Sequence, residues 1–109
     1  MARLSGGRLV TEAKVLDYLL NAEHPQGKSK AQYFTRFGFS DQDHVALLEA
    51  LLTHPDHNEI ARVEENDYGT KTTVECRVKT PDGRDPCIRS VWFLERGSSI
   101  QRLVTAYPA

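Results

Sequence analysis

Long apolar runs are missing from this 109-residue sequence. No stretch approaches the roughly 18 apolar residues of a membrane-spanning helix, so no membrane partner is expected. The opening MARLSGGRLV lacks the apolar stretch of a secretory signal. A cytoplasmic protein is the default expectation, although the mature tip of a larger secreted chain would look the same. Cysteine is scarce. Cys76 and Cys87 are the only two, and their spacing is not a zinc pattern. A strong charge of either sign is missing as well, the formal net charge being −1, which argues against a generic nucleic-acid coat. The sequence holds no phosphate-cradling glycine loop, no G-x-S-x-G elbow and no paired Cys/His nucleophile. His54 and His57 are spaced H-x-x-H, but Pro55 stands between them and no third ligand lies near, so no metal and no other cofactor is expected.

What is present is organised. Residues 1–109 are long enough for one domain with one core. TEAKVLDYLLN reads as a first helix, capped by Thr11 and lined by Val15, Leu16, Leu19 and Leu20. AEHPQGK breaks it at Pro25 and Gly27. SKAQYFTRFG predicts a second helix with Ser29 as cap, Tyr33, Phe34 and Phe37 on the apolar side, and Gly38 as the stop. SDQDHVALLEALLTH predicts a third, with Ser40 as cap, Val45, Leu48, Leu51 and Leu52 along one side, and Pro55 as its end. The pattern then changes to β-branched and aromatic residues between turn clusters, in IARVEEND, TKTTVECRVKT, CIRSVWFLE and IQRLVTAY. The expected architecture is α+β. Helices over about 11–54 pack on one face of a four-stranded antiparallel meander over about 57–108.

The TPDGR link suits a type I turn with a glycine bulge. It sets Cys76 opposite Ile88, Glu75 opposite Arg89, Val74 opposite Ser90, Thr73 opposite Val91 and Thr72 opposite Trp92. Val74, Cys76, Val78, Ile88, Trp92 and Leu94 then share the core face. Cys76 and Cys87 fall on opposite faces, which leaves a disulfide between them without geometry. For the RGSS link the preferred register sets Trp92 opposite Val104. Val104 then joins Trp92 inside, and Arg89, Thr105 and Tyr107 share the outer face. A shift of one residue would turn Thr105 and Tyr107 inward.

Charge is uneven along the chain. Lys28, Lys30 and Arg36 follow one another with no acid between, whereas from Asp41 to Asp67 only Arg62 opposes a series of acids. His24 lies in the turn that feeds the basic helix, within six residues of Lys28 and Lys30. An imidazole beside two ammonium groups and the free N–H groups of a helix start can hold a phosphate and move a proton. A loop histidine beside surface lysines fits the same spacing. Arg89 likewise reads either as a cross-strand partner of Glu75 or as a site cation.

EHPQGKSKAQYFTRFGF, with TPDGRDPCIRSVW and LVTAYP, resembles a family of small bacterial proteins without an assigned function, over nearly the whole span from Leu16 to Pro108. More distantly, helices followed by a meander, an early histidine or lysine and a last strand reading VTAYP resemble the metal-independent ribonuclease toxins of the barnase, EndoU, colicin and RelE kind. That resemblance implies a small endoribonuclease acting on RNA and held by a cognate antitoxin or immunity protein. It implies His24 as general acid or base, Lys30 as phosphate ligand, Arg89 as transition-state cation, and Thr105 and Tyr107 as groups that orient the phosphate. Lys28 and Arg36 would add to substrate binding. The second histidine of some relatives has no counterpart, so a lysine or tyrosine would complete the proton transfer. The alternative is a non-catalytic binding module on the same scaffold, as an antitoxin or immunity-type partner.

Overall fold

The computed structural model describes residues 3–109. Strand β1 (Gly7–Leu9) comes first, then a short helix α1 (Glu12–Lys14) that continues directly as a π-helical turn (Val15–Leu19). Helices α2 (Lys28–Arg36) and α3 (His44–His57) follow, α3 being entered through a 3-10 turn (Asp41–Asp43). Strands β2 (Glu59–Asn66), β3 (Gly69–Arg77), β4 (Cys87–Glu95) and β5 (Ile100–Pro108) complete the chain. The sheet order is β1-β5-β4-β3-β2, so the expected meander of four antiparallel strands is extended to five. The added β1 runs parallel to β5, pairing Gly7 with Ile100 and Leu9 with Arg102, and makes the sheet mixed. Its three residues, Gly-Arg-Leu, carry no strand pattern of their own. The pairing with β5 is what makes them a strand.

The β3–β4 ladder has the expected register, with Cys76 opposite Ile88, Glu75 opposite Arg89 and Thr72 opposite Trp92. The last hairpin departs from expectation at one place. Thr105 opposes Val91 but Leu103 opposes Trp92, so Val104 is the extra residue of a bulge. Leu103 is buried against Trp92, and Val104 is exposed. Because the bulge sits before Thr105, the face expected for Thr105 and Tyr107 is kept. Tyr107 stands directly opposite Arg89.

The core lies between the helices and the inner sheet face. Trp92, Phe34, Leu19, Leu47, Leu51, Ile88, Val15 and Val74 are among its fully buried members. Trp92 Nε1 donates to Ser90 Oγ at 2.9 Å, and Ser90 Oγ lies 2.7 Å from His54 Nδ1. His54 Nε2 donates to the Cys76 carbonyl at 2.9 Å. His54 is therefore a satisfied core group that ties α3 to β3 and β4. Pro55 does not end α3, which runs through it to His57. Leu47 rather than Val45 takes the core position of that helix, Val45 being 45% exposed. Thr11 caps α1 as expected, accepting from the Lys14 amide, whereas Ser40 caps the 3-10 turn that leads into α3, accepting from the Gln42 amide. Ser29 does not cap α2, whose first residue is already Lys28 and whose cap residue is Gly27. The Thr80–Gly83 turn docks on the other end of that helix. There Arg84 Nη2 donates to the Arg36 carbonyl at 2.6 Å and its guanidinium covers the Phe37 ring.

The two thiols do not follow the strand alternation. Cys76 takes a φ of 151°, in a region that side chains other than glycine seldom occupy. Its thiol is exposed instead of pointing into the core, and it helps to raise the pKa of the half-buried Cys87 thiol.

Candidate functional site

The site is assembled around Tyr18. In the π-helical turn, Val15 and Leu19 are both fully buried and anchor the segment, while Tyr18 between them is half-buried. Single π turns of this kind are frequent at functional sites. The Tyr18 hydroxyl shares a hydrogen bond of 3.1 Å with Thr105 Oγ1 on β5. The turn from Asn21 to Gly27 folds back tightly onto the same segment. A Cβ on Gly27 would lie 2.2 Å from the Tyr18 carbonyl oxygen and 3.2 Å from the His24 Cβ, so only glycine fits there. This approach brings the His24 ring edge-on to Tyr18, with centroids 5.1 Å apart. It also starts α2 where Lys30 Nζ reaches 5.4 Å from the Tyr18 ring centroid, and Lys14 Nζ lies at 5.1 Å.

These neighbours set the acidity of the phenol. Burial by itself would raise the Tyr18 pKa. The hydrogen bond from Thr105 and the positive charges of Lys30 and Lys14 outweigh it and hold the group below the ordinary 10.0.

The Tyr18–Thr105 pair leads along the outer sheet face to a second group of side chains. Tyr107 is two residues beyond Thr105 on the same face and opposite Arg89. Arg89 Nε donates to Glu75 Oε1 at 2.6 Å, across the ladder from it. That pairing, and then the Tyr107 phenol, raise the arginine's pKa, so its charge is permanent. Tyr107 separates two hollows. One, of about 340 Å³, lies on the outer sheet face and is lined by Lys71, Thr73, Glu75, Arg89 and Tyr107 among others. The other, of about 230 Å³, lies between α2 and the end of β5, where Lys30, Tyr33, Arg36 and Tyr107 meet.

The expected residues are thus largely gathered in one place. Lys30, Thr105, Tyr107 and Arg89 share the outer face and the α2–β5 junction. Arg36 is at the rim of the smaller hollow, whereas Lys28 is exposed and lines neither one. His24 is present, but its Nδ1 accepts from the amides of Gln26 and Gly27, both at 3.0 Å. With Nδ1 engaged as the acceptor, the ring's N–H lies on Nε2. In this arrangement the histidine closes the turn and can offer an N–H. Tyr18 and Lys14 were not singled out in the sequence, where VLDYLL reads simply as a helix face. The signal that could have found Tyr18 is its polar tip among leucines, since a buried tyrosine hydroxyl wants a partner. A hollow of about 610 Å³ lies elsewhere, along α3, and includes the carboxylates of Asp43 and Glu49. Lys79 and His57 also line it, so cations and carboxylates are mixed there rather than gathered for an anion. Among the described residues no group of three or more His, Cys, Asp or Glu side chains is arranged to hold a metal ion. No helix among them is long and apolar enough to cross a membrane.

The sequence signature of a family described only as a domain of unknown function, DUF6883, matches residues 7–109. The chain belongs to the DUF6883 family. That match begins at β1 and takes in every strand and helix that builds the site. No curated protein matches the sequence. Among solved structures, a chain of a contact-dependent growth inhibition toxin–immunity protein complex from Klebsiella pneumoniae 342 is similar to this DUF6883 chain. The TM-score is 0.71 at 23% identity, over 90% of this chain and 97% of that one. At that identity the likeness is one of fold, and it extends to almost the whole of both chains.

Proposed function

We propose that this DUF6883 chain is a metal-independent endoribonuclease, the toxin of a toxin–antitoxin or toxin–immunity pair. The observation that carries the reading is the convergence of Tyr18, Lys30, Thr105, Tyr107 and Arg89 along one face, with a phenol of lowered pKa next to two ammonium groups. The fold shared with a chain of a toxin–immunity protein complex supports the biological setting. RNA carries its own nucleophile. The ribose 2′-hydroxyl loses its proton to Tyr18 as phenolate, its oxygen attacks the adjacent phosphorus, and the bond from phosphorus to the 5′-oxygen breaks. A 2′,3′-cyclic phosphate is left on one fragment, and the departing 5′-oxygen takes a proton from water to become a hydroxyl, the Tyr18 phenol later returning its proton to solvent. Arg89 and Lys30 stabilise the charge that builds on the phosphoryl oxygens, and the Thr105 and Tyr107 hydroxyls orient them. His24 holds the turn and offers its Nε2–H to the phosphate. This chemistry asks for no metal, because the substrate supplies the nucleophile and fixed cations stabilise the transition state.

The test is incubation of purified protein with total RNA and short oligonucleotides in excess EDTA, with end-group analysis of the products. Cleavage leaving cyclic phosphate ends, together with slowed growth on induced expression, is the expected result. One observation favours the alternative of a non-catalytic partner protein. Arg89 is already paired with Glu75 at 2.6 Å, which neutralises much of the charge a phosphate would seek. If wild type neither cuts RNA in EDTA nor slows growth, the binding-module reading replaces the enzyme.

A further inference from the structure

The smaller hollow, on the far side of Tyr107 from Arg89, is not explained by phosphate chemistry alone. Ser29, Gln32, Tyr33 and Arg36 occupy positions i, i+3, i+4 and i+7 of α2 and so present one helix face. That face looks across about 230 Å³ to Tyr107 and Pro108 at the end of β5. Two aromatic rings, one amide and one guanidinium border the same space, and Lys30 joins it to Tyr18. Tyr33 is held in place by its ring contacts to Phe34 and Phe37, at 5.5 and 5.0 Å. Its pKa is raised, first by burial, so it stays a neutral phenol and a hydrogen-bond donor.

We propose that this hollow is a nucleobase subsite that takes a purine of the RNA next to the scissile phosphate. The proposal deepens the nuclease reading and rests on it for the identity of the ligand as RNA. Three features carry it. A flat heterocycle is recognised by stacking on aromatic side chains, which Tyr33 and Tyr107 provide. The edge of a purine is the partner that glutamine and arginine pair with best, through N6 and N7 of adenine or O6 and N7 of guanine. Finally, Tyr107 borders both this hollow and the one that contains Arg89. A base on one side of the ring and its phosphate on the other would span one nucleotide. A pyrimidine offers Gln32 and Arg36 a shorter edge with no N7.

The experiment does not depend on turnover. The four nucleoside 3′-monophosphates and ribose 5-phosphate are titrated into isotope-labelled protein, and amide and side-chain shifts are followed. The expected result is that the purine nucleotides bind at least about tenfold more tightly than the pyrimidine nucleotides or the sugar phosphate, one good bidentate edge contact being enough for that ratio. The shifts should centre on Gln32, Tyr33, Arg36 and Tyr107. Tyr33 packs on Phe37, so Gln32→Ala, at an exposed position, is the cleaner variant. It should abolish the purine advantage and leave ribose 5-phosphate binding as in wild type. Equal binding of all five ligands, shifts that map away from α2, or a purine advantage that survives both Gln32→Ala and Tyr33→Ala would overturn the proposal. The two readings fail separately. Purine binding without RNA cleavage ends the enzyme and leaves the subsite. Cleavage with no base preference ends the subsite and leaves the enzyme.

Discussion

At the scale of single residues, the proposed proton transfer rests on Tyr18 rather than on His24. The histidine's Nδ1 is occupied by two backbone amides, while the tyrosine carries the shifted acidity. Tyr18→Phe is therefore expected to lower the cleavage rate by about 10²–10⁴-fold, the usual worth of a proton-transfer group, with the fold unchanged by circular dichroism. The wild-type rate should climb as pH rises toward the lowered phenol pKa, and that limb should vanish in the variant. His24→Asn is expected to stay close to wild type, because an asparagine side-chain oxygen can accept the same two amides. A loss in His24→Asn as deep as that in Tyr18→Phe would return the proton transfer to the histidine. The cysteines are a second case. Burial first, and then the adjacent Cys76 thiol, push Cys87 up to about 11. Cys76 is exposed and Cys87 half-buried, so Cys76 should be alkylated before Cys87 near neutral pH, as read by mass spectrometry of peptides after timed quenching. Faster labelling of Cys87 would mean that the thiols are apart, as simple strand alternation has them.

At the scale of elements, the π-helical turn, the His24–Gly27 turn and the start of α2 act as one unit. Their register against each other is set by the close approach of Gly27 to the Tyr18 carbonyl. Adding a methyl group at 2.2 Å from a backbone oxygen cannot be absorbed by a side-chain movement. Gly27→Ala is expected to destabilise by about 1–3 kcal/mol, the range for overpacking a tight site. It should also displace Tyr18 from Thr105. Denaturant unfolding reads the first effect, and the loss of activity in protein that is still folded reads the second. An alanine variant as stable and as active as wild type would show that the segment tolerates a wider turn.

At the scale of the molecule, the helical layer and the sheet are joined by the buried series Trp92, Ser90, His54 and the Cys76 carbonyl. Burial holds the His54 pKa below its ordinary 6.5, against the smaller upward pull of its bond to Cys76. The folded state therefore binds a proton less readily than the unfolded chain does. The stability contributed by neutral His54 is fully present above about pH 6.5 and is lost as pH falls through the lower folded value. The melting temperature should accordingly drop on acidification below that point. His54→Gln, which keeps a donor and an acceptor but does not titrate, should remove this part of the drop. His54→Leu leaves the Ser90 O–H without its acceptor and takes the His54 donor from the Cys76 carbonyl, and should cost about 1–3 kcal/mol at neutral pH. If His54→Gln melts with the same pH profile as wild type, another group governs the acid limb.

The sequence by itself determined the α+β class, the order of the helices and of β2 to β5, the capping residues Thr11 and Ser40, and the whole register of β3 against β4. Those features are local, arising from side-chain periods of 2 and 3.6, from capping chemistry and from one well-marked turn. The placing of Thr105 and Tyr107 opposite Val91 and Arg89 was legible for the same reason, even though the Val104 bulge beside them was not. Only the tertiary structure decided the rest. The segment Gly7–Leu9 becomes a strand because β5 offers it an open edge. Cys76 leaves the core face because its φ of 151° turns the side chain outward while the residue keeps its place opposite Ile88 in the ladder. Tyr18 enters the site because the π turn, the bare Cα of Gly27 and the hydroxyl of Thr105, 87 residues further along the chain, come together at one point. Contacts of that separation exist only once the core beneath them has packed, and no short stretch of the sequence encodes them.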